Sequence, residues 1–296
     1  MFFRLYLLSL LLLIATDSPS QDSSFFQNKK KYLVITSTSA AYTGSLLYLQ
    51  KIWYKPYHTT SFHFFNDNAE WSKMDKLGHS FTAFYATHYL KNLYKWAGIS
   101  NPSIWASLTS FSYLLTIEIL DGYSTGWGFS WGDFSANILG LILFQAHQLT
   151  SSPLFTIKFS YFPTSYPSFN PSLLGQSTLE QLIKDYNGQT YWISISPFYK
   201  WKKNMEWFCL SFGYGIDGYI GARSNIYYKN NHLMDYTSIP RQQQWYLSID
   251  VDLSKIKPKK VWLNNLLHTL NFIKIPAPAF EWKGNNLYFR PFLFSN

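Results

Sequence analysis

The chain is 296 residues long, carries a formal net charge of +9, and is rich in aromatic residues (20%) but poor in charged ones (14%). Typical soluble domains contain about 25% charged residues, so this composition favours a membrane-associated protein or a barrel over a cytosolic enzyme. The basic residues are spread along the chain apart from three short clusters. We therefore expect contact with anionic lipid headgroups or glycans, and no binding of nucleic acid.

The amino terminus has the pattern of a secretory signal peptide. Arg4 gives a short basic start, residues 7–14 are apolar, and the small residues Ser18 and Ser20 provide a cleavage site. An uncleaved membrane anchor is the alternative. The single cysteine, Cys209, lies far from this segment, so the sequence predicts neither an intramolecular disulfide nor a lipid-modified cysteine at the signal.

The chain changes character near residues 151–153, from long apolar stretches to short alternating ones. The stretches before this boundary predict four helices, at about 32–54, 70–96, 102–121 and 131–149. They approach the roughly 20 residues that span a bilayer, but Ser, Thr, Asn and His interrupt them. Both a compact bundle packed on a membrane and true spanning helices therefore remain open. The predicted organisation is a signal peptide (1–20), a helical domain (21–150) and a β-rich region (151–296).

Three polar motifs interrupt the predicted helices. They are Asp75-Lys76-Leu77-Gly78-His79, Glu118-Ile119-Leu120-Asp121, and Gly128-Phe129-Ser130-Trp131-Gly132-Asp133 running on to Asn137 and Gly140. Spacings of three and four residues place the polar side chains of each motif on one helix face. Buried carboxylates need a partner, and the sequence has no Lys or Arg between Lys95 and Lys158. We therefore expect three helices to converge, with Lys76 and His79 as the partners of the carboxylates.

Beyond the boundary, apolar residues alternate with polar or small ones, which is the pattern of β-strands. The clearest alternation covers residues 191–196, 208–215 and 247–254, and Asn187-Gly188 and Gly284-Asn285 are hairpin signals. Membrane β-barrel strands show this alternation, and so does a soluble antiparallel sheet with one wet face. The five to seven strands that can be counted are fewer than the eight of the smallest common barrels. The expected fold class is α+β: a membrane-associated bundle of about four helices followed by an antiparallel sheet or partial barrel.

The three motifs, in this order, resemble the YfiM-like family of predicted periplasmic lipoproteins, a domain of unknown function. The signature positions are occupied by Asp75, Lys76 and His79, by Glu118 and Asp121, and by Gly128, Ser130, Asp133, Asn137 and Gly140. The resemblance covers about residues 70–145, and the strand-rich half resembles an extension in longer members from Bacteroidetes-type bacteria. The lipobox cysteine of the short members is missing.

More distantly, the helical half is similar to VanZ-like membrane proteins. Those proteins usually carry Gln where Asp121 stands and a basic residue before the position of Asp133, and this chain departs from both features. Glycopeptide resistance of the VanZ-like kind is therefore not implied. The family resemblance strengthens the candidate site without naming an activity.

Three functions fit the candidate cluster, whose members are Asp75, Lys76, His79, Glu118, Asp121, Ser130, Asp133 and Asn137. In the first, Lys76 and His79 neutralise the carboxylates and lock the helices together. In the second, a Mg, Mn or Zn ion activates water against a phosphate or acyl ester of an envelope lipid or glycan, or His79 acts as a base without metal. The candidate metal ligands are Asp75, His79, Glu118 and Asp133. In the third, the helical half binds a lipid, a glycan or a protein partner.

The leading prediction is a structural or binding role for an exported protein at the outer membrane or the periplasmic face of the envelope. A metal-dependent hydrolase acting on an envelope lipid or glycan is the alternative function, and an inner-membrane protein with four spans is the alternative location. The expected partners are membrane lipid or envelope glycan, together with a protein of the outer membrane. The sequence does not identify a cofactor, and a divalent metal is the one candidate.

Overall fold

The structure is a computed structural model that describes residues 24–54, 57–149, 154–229 and 231–292. The predicted signal peptide lies outside the described residues. The chain divides into two compact units. The first unit comprises Met1–Asp67 and Gly78–Ser151, and the second comprises Asn68–Leu77 and Ser152–Asn296.

The helical half contains four long helices: α1 (Ser24–Leu49), α2 (Met74–Trp96), α3 (Pro102–Gly122) and α4 (Trp131–Gln148). A π-helical turn, Gln50–Tyr54, follows α1, and the first four residues of α2 belong to the second unit. Pro102 occupies the first turn of α3, where its missing N–H costs no hydrogen bond. The Ser130 side chain caps α4 by accepting a hydrogen bond from the backbone N–H of Asp133. The expectation of about four helices is confirmed.

Two small residues let α2 and α4 approach closely within the first unit. A Cβ built on Gly140 would lie 2.3 Å from the carbonyl oxygen of Ser80, so any larger residue would push the helices apart. The Ser80 hydroxyl also donates a hydrogen bond to the carbonyl of Ala136, at 2.8 Å. This contact holds the middle of α4 against the start of α2.

One helix of the described residues, α3, is long and apolar enough to cross a bilayer by length and composition. The core helix of a soluble protein passes the same test, so this property alone does not define a membrane span. Several of its apolar side chains are exposed, among them Ile104, Trp105 and Leu108, whereas Glu118 is buried. The helix therefore turns a carboxylate inward and apolar side chains outward.

The second unit contains the strands. They are β1 (Phe155–Tyr161), β2 (Gln189–Ile195), β3 (Phe208–Asp217), β4 (Ile226–Lys229), β5 (His232–Asp235), β6 (Gln242–Val251), β7 (Ala279–Lys283) and β8 (Asn286–Arg290). Six of them form an antiparallel sheet in the order β1-β2-β3-β6-β7-β8, and β4 and β5 form a separate hairpin. Three short helices accompany them: α5 (Pro171–Leu174), α6 (Thr178–Lys184) and α7 (Val261–Leu270). The α+β class is confirmed, and the sheet is open, with β1 and β8 at its edges.

The two faces of this sheet have opposite polarity, and the polar face is the buried one. Ser194, Ser211 and Ser248 lie side by side on three neighbouring strands and are buried. The apolar residues between them in sequence, such as Phe212 and Ile249, are exposed. Alternation predicted two unlike faces, and the structure assigns the polar one to the interior.

Buried charges on the polar face satisfy one another. The Lys158 ammonium lies 3.0 Å from the Asp250 carboxylate, the Lys274 ammonium lies 3.8 Å from it, and none of the three side chains is exposed. Ser194 donates to the same carboxylate at 2.6 Å, and Lys274 also donates to two backbone carbonyls. Paired and hydrogen-bonded charges of this kind can remain buried.

The segment that leads into α2 is anchored in the second unit. Trp71 is buried and packs with Met74, Leu174 and Ile216 in a hydrophobic cluster. Residues 71–73 have positive φ values, a conformation that side chains other than glycine seldom adopt. Hydrogen bonds hold this turn in place, including one from the Tyr214 hydroxyl to the backbone carbonyl of Ser72 at 2.8 Å.

The two hairpin signals have different outcomes. Gly284-Asn285 forms the turn between β7 and β8, as predicted. The prediction of a hairpin turn at Asn187-Gly188 was wrong, because residues 162–188 connect β1 to β2 and contain two short helices. Asn187 instead binds Asp185 and both the N–H and the carbonyl of Tyr219 through its amide. Its polar side chain serves tertiary structure and not a tight turn.

Candidate functional site

Four of the predicted polar side chains meet inside the first unit: His79 from α2, Glu118 from α3, and Asp133 and Asn137 from α4. The His79 Nδ1 atom lies 3.6 Å from Glu118 Oε1, and its Nε2 atom lies 3.6 Å from Asp133 Oδ1. His79 Nδ1 is also 3.1 Å from Asn137 Oδ1. The predicted convergence of three helices is therefore present for these four residues.

Burial differs sharply across this cluster. Only 1% of the Glu118 side chain and 12% of the Asp133 side chain are exposed, against 27% of the His79 ring. Asn137 donates from its amide to Glu118 at 3.3 Å while its carbonyl oxygen faces the imidazole. The cluster is thus a buried acidic pair bridged by a histidine that solvent reaches from one side.

Local structure holds Asp133 in position. Because Ser130 caps α4, the first turn of the helix places Asp133 directly above the cap, with its N–H 3.1 Å from Ser130 Oγ. The same hydroxyl donates to Asp67 at 2.6 Å. Ser130 therefore contributes by fixing the start of the helix, and its hydroxyl is already engaged in two hydrogen bonds.

Asp121 has a separate environment one turn beyond Glu118. The Tyr54 hydroxyl donates to Asp121 Oδ1 at 2.7 Å. Burial raises the pKa of Asp121 to about 7; the Tyr54 hydrogen bond and His79 oppose this shift, and the charges of Asp133 and Asp67 add to it. Burial and the nearby Asp121 charge also raise the pKa of Tyr54. Asp121 is thus poised to change its charge near neutral pH.

Asp75 and Lys76 pair with each other. The Lys76 ammonium donates to Asp75 Oδ2 at 2.8 Å, and both residues belong to the second unit. Burial raises the pKa of the Tyr191 hydroxyl in that unit, and the Asp75 charge adds to the effect. These two members of the predicted set therefore belong to the second unit, apart from the four residues that meet in the first.

Sequence reasoning did not identify two residues that contact the predicted set. Tyr54 comes from the turn after α1, and Asp67 comes from the loop that precedes the second unit. Neither belongs to a motif with helical spacing, so only a three-dimensional arrangement reveals them. A lone acidic residue in an aromatic-rich loop was the one available signal for Asp67.

The donor set suits a divalent metal ion. One ligand atom from each of His79, Glu118 and Asp133 lies within 4.8 Å of the other two. The two separations of 3.6 Å start from different nitrogens of the His79 ring, and a single ion would use only one of them. Ligands about 2.1 Å from a tetrahedral ion are about 3.4 Å apart, so the three donors would move closer together when an ion binds. Imidazole with carboxylate oxygens is a donor set used by Zn and Mn.

These features define a helical unit with a buried cluster of one histidine, two carboxylates and an amide. Residues 63–146 match the family model described as "Predicted periplasmic lipoprotein (DUF2279)". The matched segment contains all four clustered residues and covers well under half of the chain. No curated protein and no solved structure matches the chain. The expected resemblance to a family of periplasmic lipoproteins is therefore confirmed for this segment.

Proposed function

We propose that this chain is an exported protein of the bacterial cell envelope whose helical unit binds a divalent cation between His79, Glu118 and Asp133. The observation that carries the proposal is the meeting of three metal-type donors from three different helices within 4.8 Å. The family description of residues 63–146 as a predicted periplasmic lipoprotein supports export. We place the protein at the periplasmic face of the outer membrane, in a structural or binding role.

Electrostatics favours a cation at this position. Glu118 and Asp133 are both buried, and two buried carboxylates beside one imidazole create a negative potential that attracts a cation. Each carboxylate lies 3.6 Å from one nitrogen of the His79 ring. A divalent ion between the donors would neutralise both carboxylates and leave the imidazole uncharged.

A bound ion would join α2, α3 and α4 and so stabilise the bundle. Asn137 supports the site, since its amide donates to Glu118 and thereby orients a ligand, as outer-sphere partners of metal sites do. Asp121 lies outside the donor set and is held by Tyr54. It is therefore the natural control position.

Metal-dependent hydrolysis is a second candidate because the His79 ring is 27% exposed. Solvent access on one side would leave a coordination position open for water, which a bound ion can activate. An ester of an envelope lipid or glycan is the substrate class that an exported protein of this composition would meet. Turnover of such esters by the wild type, absent from Asp133→Asn with its fold intact, would favour this second function over bracing.

The test is metal analysis of the full chain purified from membranes, comparing the wild type with His79→Ala, Asp133→Asn and the control Asp121→Asn. We expect about one equivalent of metal in the wild type and in Asp121→Asn, and a loss in the two ligand variants. Addition of the same metal to chelator-treated protein should raise the unfolding temperature of the wild type and of Asp121→Asn, and not that of the two ligand variants. A metal-free wild type with no thermal response to Zn, Mn or Mg would refute the proposal. The cluster would then be a histidine–carboxylate brace.

A further inference from the structure

The open sheet of the second unit carries an apolar face that lies exposed. Its centre is a row of residues paired in register across five strands: Ile193, Phe212, Leu247, Phe280 and Phe289. Leu210, Trp245, Ile249, Trp282 and Leu287 flank this row. Nine of these ten side chains are between 38% and 58% exposed, Leu247 being half-buried. At 150–250 Å² per large side chain this amounts to roughly 1,000 Å², above the few hundred Å² of the largest patch on an ordinary monomer.

The opposite face of the sheet is polar and is buried within the unit. It holds the buried Lys158, Asp250 and Lys274 group and the buried serine row. The chain after β6 covers it: Lys274 lies 5.1 Å from the Trp192 ring, and Ile275 donates its N–H to Asp250. The apolar face is therefore a fixed outer surface of this unit.

One end of the sheet is framed by lysine and tryptophan. The β2–β3 connection, residues 196–207, and the segment 252–260 after β6 leave the sheet at this same end, where Phe208 pairs with Val251. Together they carry seven lysines against Glu206 and Asp252, a formal charge of +5. The connections at the opposite end, residues 162–188, 218–241 and 284–285, carry four basic and three acidic residues, a formal charge of +1.

Exposed tryptophans accompany these lysines. Trp201 is 87% exposed and Trp262, at the start of α7, is 50% exposed. Lys200, Lys202 and Lys259 are exposed beside them. Tryptophan is enriched where a membrane meets water, and lysine near an anionic surface contributes to membrane binding.

We propose that the apolar face of this sheet seats in one leaflet of a bilayer, with the lysine- and tryptophan-rich end among anionic headgroups. Strands β7 and β8 have five residues each, about 17 Å, which is too short to cross a hydrocarbon core of about 30 Å, whereas β3 and β6 have ten, the length of a transmembrane strand. Because the apolar row extends across the short strands β7 and β8, we assign the whole face to one leaflet. This assignment concerns the second unit and is independent of the cation site in the first.

The test attaches an environment-sensitive fluorophore to an introduced cysteine in the full chain. Phe280→Cys places it on the apolar face, and Tyr228→Cys, on the β4–β5 hairpin at a position that is 76% exposed, is the matched control. The native Cys209 is 2% exposed, and burial raises the pKa of its thiol to about 12, so it will not compete for label. Each labelled chain is titrated with phosphatidylcholine vesicles that contain phosphatidylglycerol or lack it.

We expect a blue-shifted emission at position 280 that lipid-borne quenchers in the acyl region suppress, and neither effect at position 228. Lys259→Glu should weaken quenching at position 280 in the anionic vesicles by about fivefold or more in apparent affinity, whereas Lys229→Glu at the other end should not. His79→Ala should leave both signals unchanged, which separates this test from that of the cation site.

Three results would overturn the proposal. A blue shift at position 280 without lipid quenching would mean that protein, such as a second copy of the chain, covers the face. An unshifted, unquenched label would mean that the face stays in water. Equal quenching in both kinds of vesicle, unaffected by Lys259→Glu, would mean that anionic headgroups do not contribute to binding. Ile249→Cys on the same face replaces Phe280→Cys if that variant does not fold.

Discussion

Replacing Asp121 by Asn should stabilise the helical unit above neutral pH and change little in acid. Burial raises the pKa of Asp121 to about 7 in the folded chain, from a usual value of 3.8. The folded chain therefore keeps this proton to higher pH than the unfolded chain does. The free energy of unfolding consequently falls as the pH rises from about 4 to about 7. Above about pH 7 the whole contribution of the Asp121 proton to stability is lost.

The size of the effect follows from the distance between the two pKa values. About three pH units at about 1.4 kcal/mol each give a ceiling of about 4 kcal/mol at pH 8. Asp121 is only half-buried, and solvent screening reduces the figure, so we expect about 1–3 kcal/mol. Asn keeps an oxygen that accepts from Tyr54, so the hydrogen bond at 2.7 Å survives the substitution.

The assay is thermal unfolding of the full chain in mild detergent with chelator present, followed by far-ultraviolet circular dichroism at about pH 5 and pH 8. Tyr54→Phe is the second variant. It removes the hydrogen bond that favours ionised Asp121, and so it should steepen the pH dependence. If Asp121→Asn loses stability between these pH values as steeply as the wild type, Asp121 is not the titrating group and the reasoning fails.

Three further predictions concern other parts of the chain. Gly140→Ala should force α2 and α4 apart, because its Cβ would lie 2.3 Å from a carbonyl oxygen of the facing helix; we expect a loss of about 1–3 kcal/mol, together with loss of any bound metal, measured by melting and metal analysis. Lys158→Met should destabilise the second unit by about 3 kcal/mol, since it removes the buried partner 3.0 Å from Asp250. Lys274→Met, which removes the cation 3.8 Å away, should cost less in the same urea titration, and an equal cost would contradict this ranking. Cys209 should resist alkylation in the folded chain, because it is buried with a thiol pKa of about 12, and should react once urea unfolds the sheet; rapid labelling of native protein would refute its burial.

The helical half was largely predictable because its signals are local. Spacings of three and four residues placed polar side chains on single helix faces, and buried carboxylates without neighbouring cations implied that His79 would approach them. The structure brings His79, Glu118, Asp133 and Asn137 together for that reason. Tyr54 could not be predicted, because it reaches Asp121 from a turn 67 positions earlier in the chain, and no sequence period records such a contact.

The strand half was predictable in its alternation and not in its orientation. A period of two separates two faces, but the same pattern serves a sheet with a wet polar face and one with a lipid-facing apolar face. The structure shows, through tertiary contacts, that the polar face is the buried one. Lys274 reaches Asp250 from a segment 24 residues later, and this charge network can form only in a covered, internally satisfied layer.

Both units bury polar side chains and expose apolar ones. In α4 the buried positions include Asp133, Asn137 and Gly140, while Leu139 and Ile142 are 50% and 58% exposed. The sheet repeats this arrangement with its serines and charges inside and its aromatic side chains outside. Exposing large apolar surface to water is unfavourable, and in contact with lipid that penalty disappears. A polar interior is stable there only if its groups are paired. The Lys158–Asp250–Lys274 group meets that condition within the protein, and the metal measurement tests whether a cation contributes to it at Glu118 and Asp133 in the first unit.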